Sequence, residues 1–159
     1  MNLGLKAVNA RLVICIIALL MPFILVVTTQ QRLDSFSQYF YTPAGPFFVG
    51  VLSLTAYMMF SNIKWIPAAI ALIMVMLFPC REYETIHNIS AVLFFLLSAA
   101  AMIFERQDKV TGFLMLLLGP IALFDLFLAE VCLVSMISTY HIRRLLLIRK
   151  FLIKRGDRL

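Results

Sequence analysis

The stretch from Val110 to Tyr140 reads VTGFLMLLLGPIALFDLFLAEVCLVSMISTY, and the way it meets a bilayer decides the topology of the whole chain. As one straight helix it reaches about 46 Å, too long for a single upright span of about 30 Å. Two complete spans need about 40 residues, so it is short for a comfortable hairpin. Gly119-Pro120 is a breaker pair near its first third, and Asp125 and Glu130 lie within it. Two readings stand: a short hairpin or re-entrant element turning near Gly119-Pro120, or one long tilted helix.

Charge outside the stretch favours the first. With an even number of crossings, twelve Lys and Arg fall on the side of the termini and two, Arg32 and Arg81, on the other. Lys64, Arg106 and Lys109 are among the twelve. With five crossings the split is nine to five. The positive-inside rule therefore points to cytoplasmic N- and C-termini.

Four further apolar runs precede the stretch: Leu12–Thr28 with Pro22 inside it, Pro46–Asn62, Ile66–Pro79 after Trp65, and Ile89–Phe104. Several are shorter than the roughly 20 residues that span hydrocarbon, which local thinning or snorkelling accommodates. Hydrophobic residues make up 63% of the chain, and its mean hydropathy is +0.99. A soluble domain has about 45–50% apolar residues and could not enclose this much apolar surface in one core. The expected fold is an all-α polytopic transmembrane helix bundle of five to six membrane segments. Residues 1–140 form the bundle, and residues 141–159 form a basic, amphipathic cytoplasmic tail lying in the interface. In the tail, Arg143, Arg144, Arg149, Lys150, Lys154 and Arg155 are candidate contacts for anionic lipid headgroups. The net charge of +6 comes from basic residues set among apolar ones, a pattern that suits lipid and not nucleic acid. Cys15, Cys80 and Cys132 are odd in number and lie in apolar sequence, so they read as core thiols.

Polar residues concentrate in three places. Between the third and fourth runs lies Cys80-Arg81-Glu82-Tyr83-Glu84-Thr85-Ile86-His87. On a helix starting near Glu82, Glu84 and His87 sit at i and i+3, where a carboxylate can fix a histidine tautomer for base or ligand chemistry. The competing reading is a helix-start cluster complementing the dipole. A metal site would need more ligands than this cluster has, and no metal or cofactor is expected. Asp125 and Glu130 are the acids inside a membrane run, and intramembrane carboxylates suit proton or cation coupling. They fall about 140° apart around a helix and so form no simple dyad. At a hairpin turn they would instead be interfacial. The first outer loop holds Tyr39, Tyr41 and Thr42, which suit an aromatic belt or a shallow outward pocket.

The pattern Ser35-x-Ser37-x-Tyr39-Phe40-Tyr41-Thr42-Pro43, then Phe47 to Leu52, Phe78-Pro79, and His87 with Ala91 and Phe94, resembles a group of uncharacterised bacterial polytopic membrane proteins. That group is similar in pattern to the wider DRAM-like membrane proteins. The resemblance covers roughly residues 12–104. It implies about six helices with both ends cytoplasmic and an outward face built from Tyr39, Tyr41, Thr42 and His87. It implies no reaction. Glu130 and the run to Tyr140 resemble the group's last helix, without the long connection that precedes it there.

The chain has no nucleotide-binding loop, no HExxH, no Gly-x-Ser-x-Gly and no multi-histidine haem pattern. The leading expectation is a non-enzymatic protein of the bacterial inner membrane that binds lipid or a membrane-protein partner. The alternatives are a small proton- or cation-coupled transporter or pore using Asp125 and Glu130, and a membrane enzyme using Glu84 and His87. Gly112, Gly119, Ser98, Ala99 and Ala100 offer small-residue packing surfaces, including for a homo-oligomer.

Overall fold

A computed structural model describes residues 3–105 and 109–156. Arg106 and Arg158, which entered the charge count, lie outside these described residues. Among them the chain forms six α-helices and no strand: α1 (Leu3–Thr29), α2 (Gly45–Met59), α3 (Ile66–Leu77), α4 (Glu84–Phe104), α5 (Lys109–Leu118) and α6 (Leu126–Gly156). Short 3₁₀ turns occupy Phe36–Tyr41, Ile63–Trp65 and Gly119–Leu123.

Local chemistry sets the ends. α1 runs through Pro22, whose ring is fully buried. The proline costs one backbone bond, and packing around the ring holds the helix together. At the end of α1, Thr28 and Thr29 hydroxyls donate to the Ile24 and Leu25 carbonyls, and Gln30 turns left-handed at φ 54°. Pro46 and Pro67 occupy the first turns of α2 and α3, where a missing N–H costs nothing. The Asp125 carboxylate accepts from the Leu128 N–H at 2.9 Å and caps α6.

Each helix packs on the next in sequence, and α6 closes the ring on α1. Contacts between the connections show that the helices alternate in direction. The loops around Ser37, Phe78 and Asp125 share one end, and Asn62, Glu105 and Arg144 share the other. The main core joins α2 to α6 through Trp65, Leu72, Met102, Met115, Leu133 and Tyr140. A second cluster, with Leu25, Tyr39, Phe48 and Phe127, fills the loop end. Small residues bring helices close. Ala68, Ala69, Ser98 and Ala99 are wholly buried, and a Cβ on Gly112 would lie 2.8 Å from the Ala99 carbonyl oxygen. Ser98, Ala99 and Gly112 are therefore used within the chain, while Gly119 faces open space.

The break at Gly119-Pro120 is real: the stretch folds as α5, a 3₁₀ turn and α6, not as one helix. The fourth run starts five residues earlier than its apolar part, because α4 takes in Glu84–Asn88. The last helix crosses Tyr140–His141 without interruption, so the boundary drawn there between bundle and tail falls inside a single element.

Among the described residues three helices are long and apolar enough to cross a membrane: Gly4–Thr29, Glu84–Phe104 and Leu126–Arg155. Only 28%, 39% and 33% of their most apolar windows is buried within the protein. Most of that apolar surface faces outward, where only an apolar surrounding stabilises it. α2, α3 and α5 are shorter, reaching about 22, 18 and 15 Å.

Candidate functional site

Between α4, α5 and α6, at the loop end, lies a cavity of about 440 Å³. Its wall is apolar, with Phe95, Met115 and Leu133 among the lining residues, and its polar groups are few: Ser35, Ser37, Cys80, His87, Asn88 and Glu130. An apolar chamber with a few convergent polar groups is the usual form of a small-molecule site.

His87 is the best-fixed of these groups. It is buried in the first turn of α4, and both ring nitrogens are engaged. Nδ1 lies 2.8 Å from the Phe78 carbonyl oxygen. A carbonyl can only accept, so Nδ1 carries the proton and donates. In that tautomer of the ring Nε2 presents its lone pair to the Ser37 hydroxyl at 2.6 Å. Glu84 does not orient the histidine; the carbonyl of Phe78 takes that role, and Glu84 sits exposed at the start of α4. Of the acids in this cluster it is Glu82 that reaches the α1–α2 loop, where it accepts from the Tyr41 hydroxyl.

The remaining outer-loop residues separate by role. Tyr39 turns into the core, fully buried against Phe127, with its hydroxyl donating to the Gln31 carbonyl at 2.8 Å. Thr42 donates to the Tyr39 carbonyl and closes the turn before α2. Tyr41 stays at the surface beneath the Arg81 guanidinium, 4.2 Å from the ring centroid. Partial desolvation and the Glu82 bond raise the Tyr41 pKa, and burial pushes the Cys80 thiol up. Cys80 is therefore a protonated thiol in the cavity wall, not a poised thiolate.

Asp125 and Glu130 part company as well. Asp125 lies just before α6, hydrogen-bonded and ion-paired with Arg32, whose guanidinium also lies over the Phe127 ring. The Arg32 bond holds the Asp125 carboxyl below its ordinary pKa. Glu130 is buried, lines the cavity, and accepts from the Phe36 N–H at 2.7 Å. It ties the outer loop to α6.

At the opposite end Glu105 is a hub. It accepts from Asn62 Nδ2 at 2.6 Å and from the Tyr140 hydroxyl, and it pairs with Arg144 at 3.1 Å. Arg144 is thus a tie between α6 and the α4 end. Arg149, Lys150, Lys154 and Arg155 are exposed on the last turns of α6, and Arg143 is exposed one residue before Arg144. No group of three or more His, Cys, Asp or Glu that could hold a metal occurs among the described residues.

Sequence reading did not single out Ser37 as the partner of His87, nor Glu105 as a hub. Fifty positions separate Ser37 from His87, and no local signal links them.

No curated protein and no solved structure matches this chain. Residues 63–154, which take in α3 to α6 almost to its end, match a family of unknown function. The chain therefore belongs to that family, DUF7103.

Proposed function

We propose that this chain is an integral membrane protein whose six helices traverse the bilayer with both termini on the cytoplasmic side, and that it binds a lipid-like amphipathic molecule. The cavity between α4, α5 and α6 carries this reading. Its apolar wall suits a chain or ring, and Ser37, His87 and Glu130 gather at its polar end to meet a hydroxyl, ester or amide. The outward apolar surface of the long helices supplies the route by which such a molecule arrives from the bilayer. The charge count supports the orientation.

Native mass spectrometry of the detergent-purified protein tests it. Wild type should retain a bound lipid, and Ala91→Phe, which fills the cavity from α4, should lose it while keeping its helical content. Equal retention by both would remove the cavity from the account.

A second reading rests on the Ser37–His87 pair itself. A serine hydroxyl donating to a histidine whose other nitrogen is held by a carbonyl is a nucleophile beside its base. The reaction class is acyl or ester hydrolysis of the bound molecule. A fluorophosphonate probe should then label Ser37 in wild type and fail in His87→Ala. No labelling of folded wild type would leave the pair as a structural tie.

A further inference from the structure

At the end opposite the cavity, α1, the α2–α3 connection and α6 enclose a smaller pocket of about 100 Å³. Its lining includes Arg11, Asn62, Trp65, His141 and Arg144. Two polar atoms in that wall are stranded. Trp65 Nε1 and His141 Nε2 are buried and have no hydrogen-bond partner among the described residues; Trp65 is wholly enclosed and His141 only 7% exposed. Their rings pack at 4.3 Å between centroids. A buried indole N–H only donates, and leaving it unpaired costs about 1–3 kcal/mol. The indole N–H thus lacks an acceptor.

The charges say what kind of acceptor. Arg11 and Arg144 are among the lining residues, and no Asp or Glu is among the described ones. Glu105, the carboxylate paired with Arg144, spends its oxygens on Asn62, Tyr140 and Arg144. Arg144 offers five N–H groups, so it has donors left after meeting Glu105. A volume of about 100 Å³ is several times a water molecule's share of liquid, enough for a tetrahedral oxyanion. We infer that this pocket binds a phosphate group between Arg11 and Arg144, with Trp65 Nε1 donating to one of its oxygens. The phosphate belongs either to a phospholipid headgroup or to a free phosphate ion. The site is independent of the cavity at the loop end.

Trp65 is the chain's single tryptophan, so intrinsic fluorescence reports on the pocket alone. The detergent-solubilised protein would be titrated with inorganic phosphate against chloride at constant ionic strength. A second titration would use short-chain phosphatidic acid. A saturable change in Trp65 emission is expected with at least one of them. A response to both means that the phosphate group suffices, and a response to phosphatidic acid alone means a lipid headgroup site. Arg11→Gln should weaken binding roughly tenfold or more, because it removes one charge-assisted fork. Should Arg11→Gln fail to fold, Arg11→Lys keeps the charge, loses the fork, and should bind several-fold more weakly. No saturable response of folded wild type to either probe, or unchanged affinity in both Arg11 variants, overturns the inference.

Discussion

Ser37 and His87 come from different elements, one from the α1–α2 loop and one from the first turn of α4, and a 2.6 Å hydrogen bond joins them in the wall of the cavity between α4, α5 and α6. Through His87 Nδ1 the same ring also holds the Phe78 carbonyl at the end of α3. One imidazole therefore fixes three segments. His87→Ala leaves a serine hydroxyl and a carbonyl without their partner and should lower stability by about 1–3 kcal/mol. Ser37→Ala removes one of the two bonds and should cost about 1 kcal/mol. Thermal unfolding of the detergent-solubilised variants measures both, and equal, negligible losses would mean that the loop is held by other contacts.

Gly112, inside α5, and Gly119, just after it, should respond in opposite ways to the same change. A Cβ at Gly112 meets Ile103 and the Ala99 carbonyl at 2.6 and 2.8 Å, so α5 must move away from α4. Gly112→Ala should cost about 1–3 kcal/mol by overpacking. Gly119→Ala meets nothing within 4 Å and should leave the melting temperature unchanged or slightly raised.

Asp125→Asn separates charge from capping, since asparagine also caps helices well. The Arg32 partner holds the Asp125 pKa below its ordinary value in the folded protein. A depressed carboxyl pKa contributes stability above the unfolded value, and that contribution is lost as pH falls through the folded value. Asp125→Asn should therefore melt lower than wild type at pH 6. The difference should shrink to nothing as pH drops through and below the ordinary carboxylate range, about pH 4. High salt should also shrink it, because the pair is exposed.

Glu105 gathers Asn62, Tyr140 and Arg144 at the far end of α4. Glu105→Gln keeps the shape, removes the charge, and leaves Arg144 facing a neutral amide. A loss of about 1–3 kcal/mol is expected, larger than for Tyr140→Phe, which deletes one neutral donor. A double variant should fall short of the sum, because both changes act on one network.

Much of this architecture can be read in the sequence, because its helices are apolar over most of their surface. Hydropathy finds helices wherever both faces of a helix are apolar, and the break at Gly119-Pro120 follows from the residues alone. The same property hides the packing. When the core side and the outward side of a helix are both apolar, periodicity no longer says which faces inward. Tyr39 looked like a surface aromatic and lies in the core. The contact of Gly112 with α4, and the pairing of Ser37 with His87, depend on neighbours distant in sequence. The continuity of α6 past Tyr140 was hidden by its charge. Arg, Lys and Leu are all good helix formers, so a change of composition there was not a change of structure.

α6 contains no proline, and its only glycine is Gly156 at its end. It has no built-in point of flexure, unlike α1 with Pro22. It is tethered to Arg32 at its start and to Glu105 further along, and its basic last turns project beyond both tethers. Such a rod behaves as a lever. A tilt of about 5° imposed where Glu130 lines the cavity would sweep the far tip of a roughly 45 Å helix by about 4 Å. Occupancy of a chamber at one end of the bundle would then be legible as displacement of a cationic tip at the other.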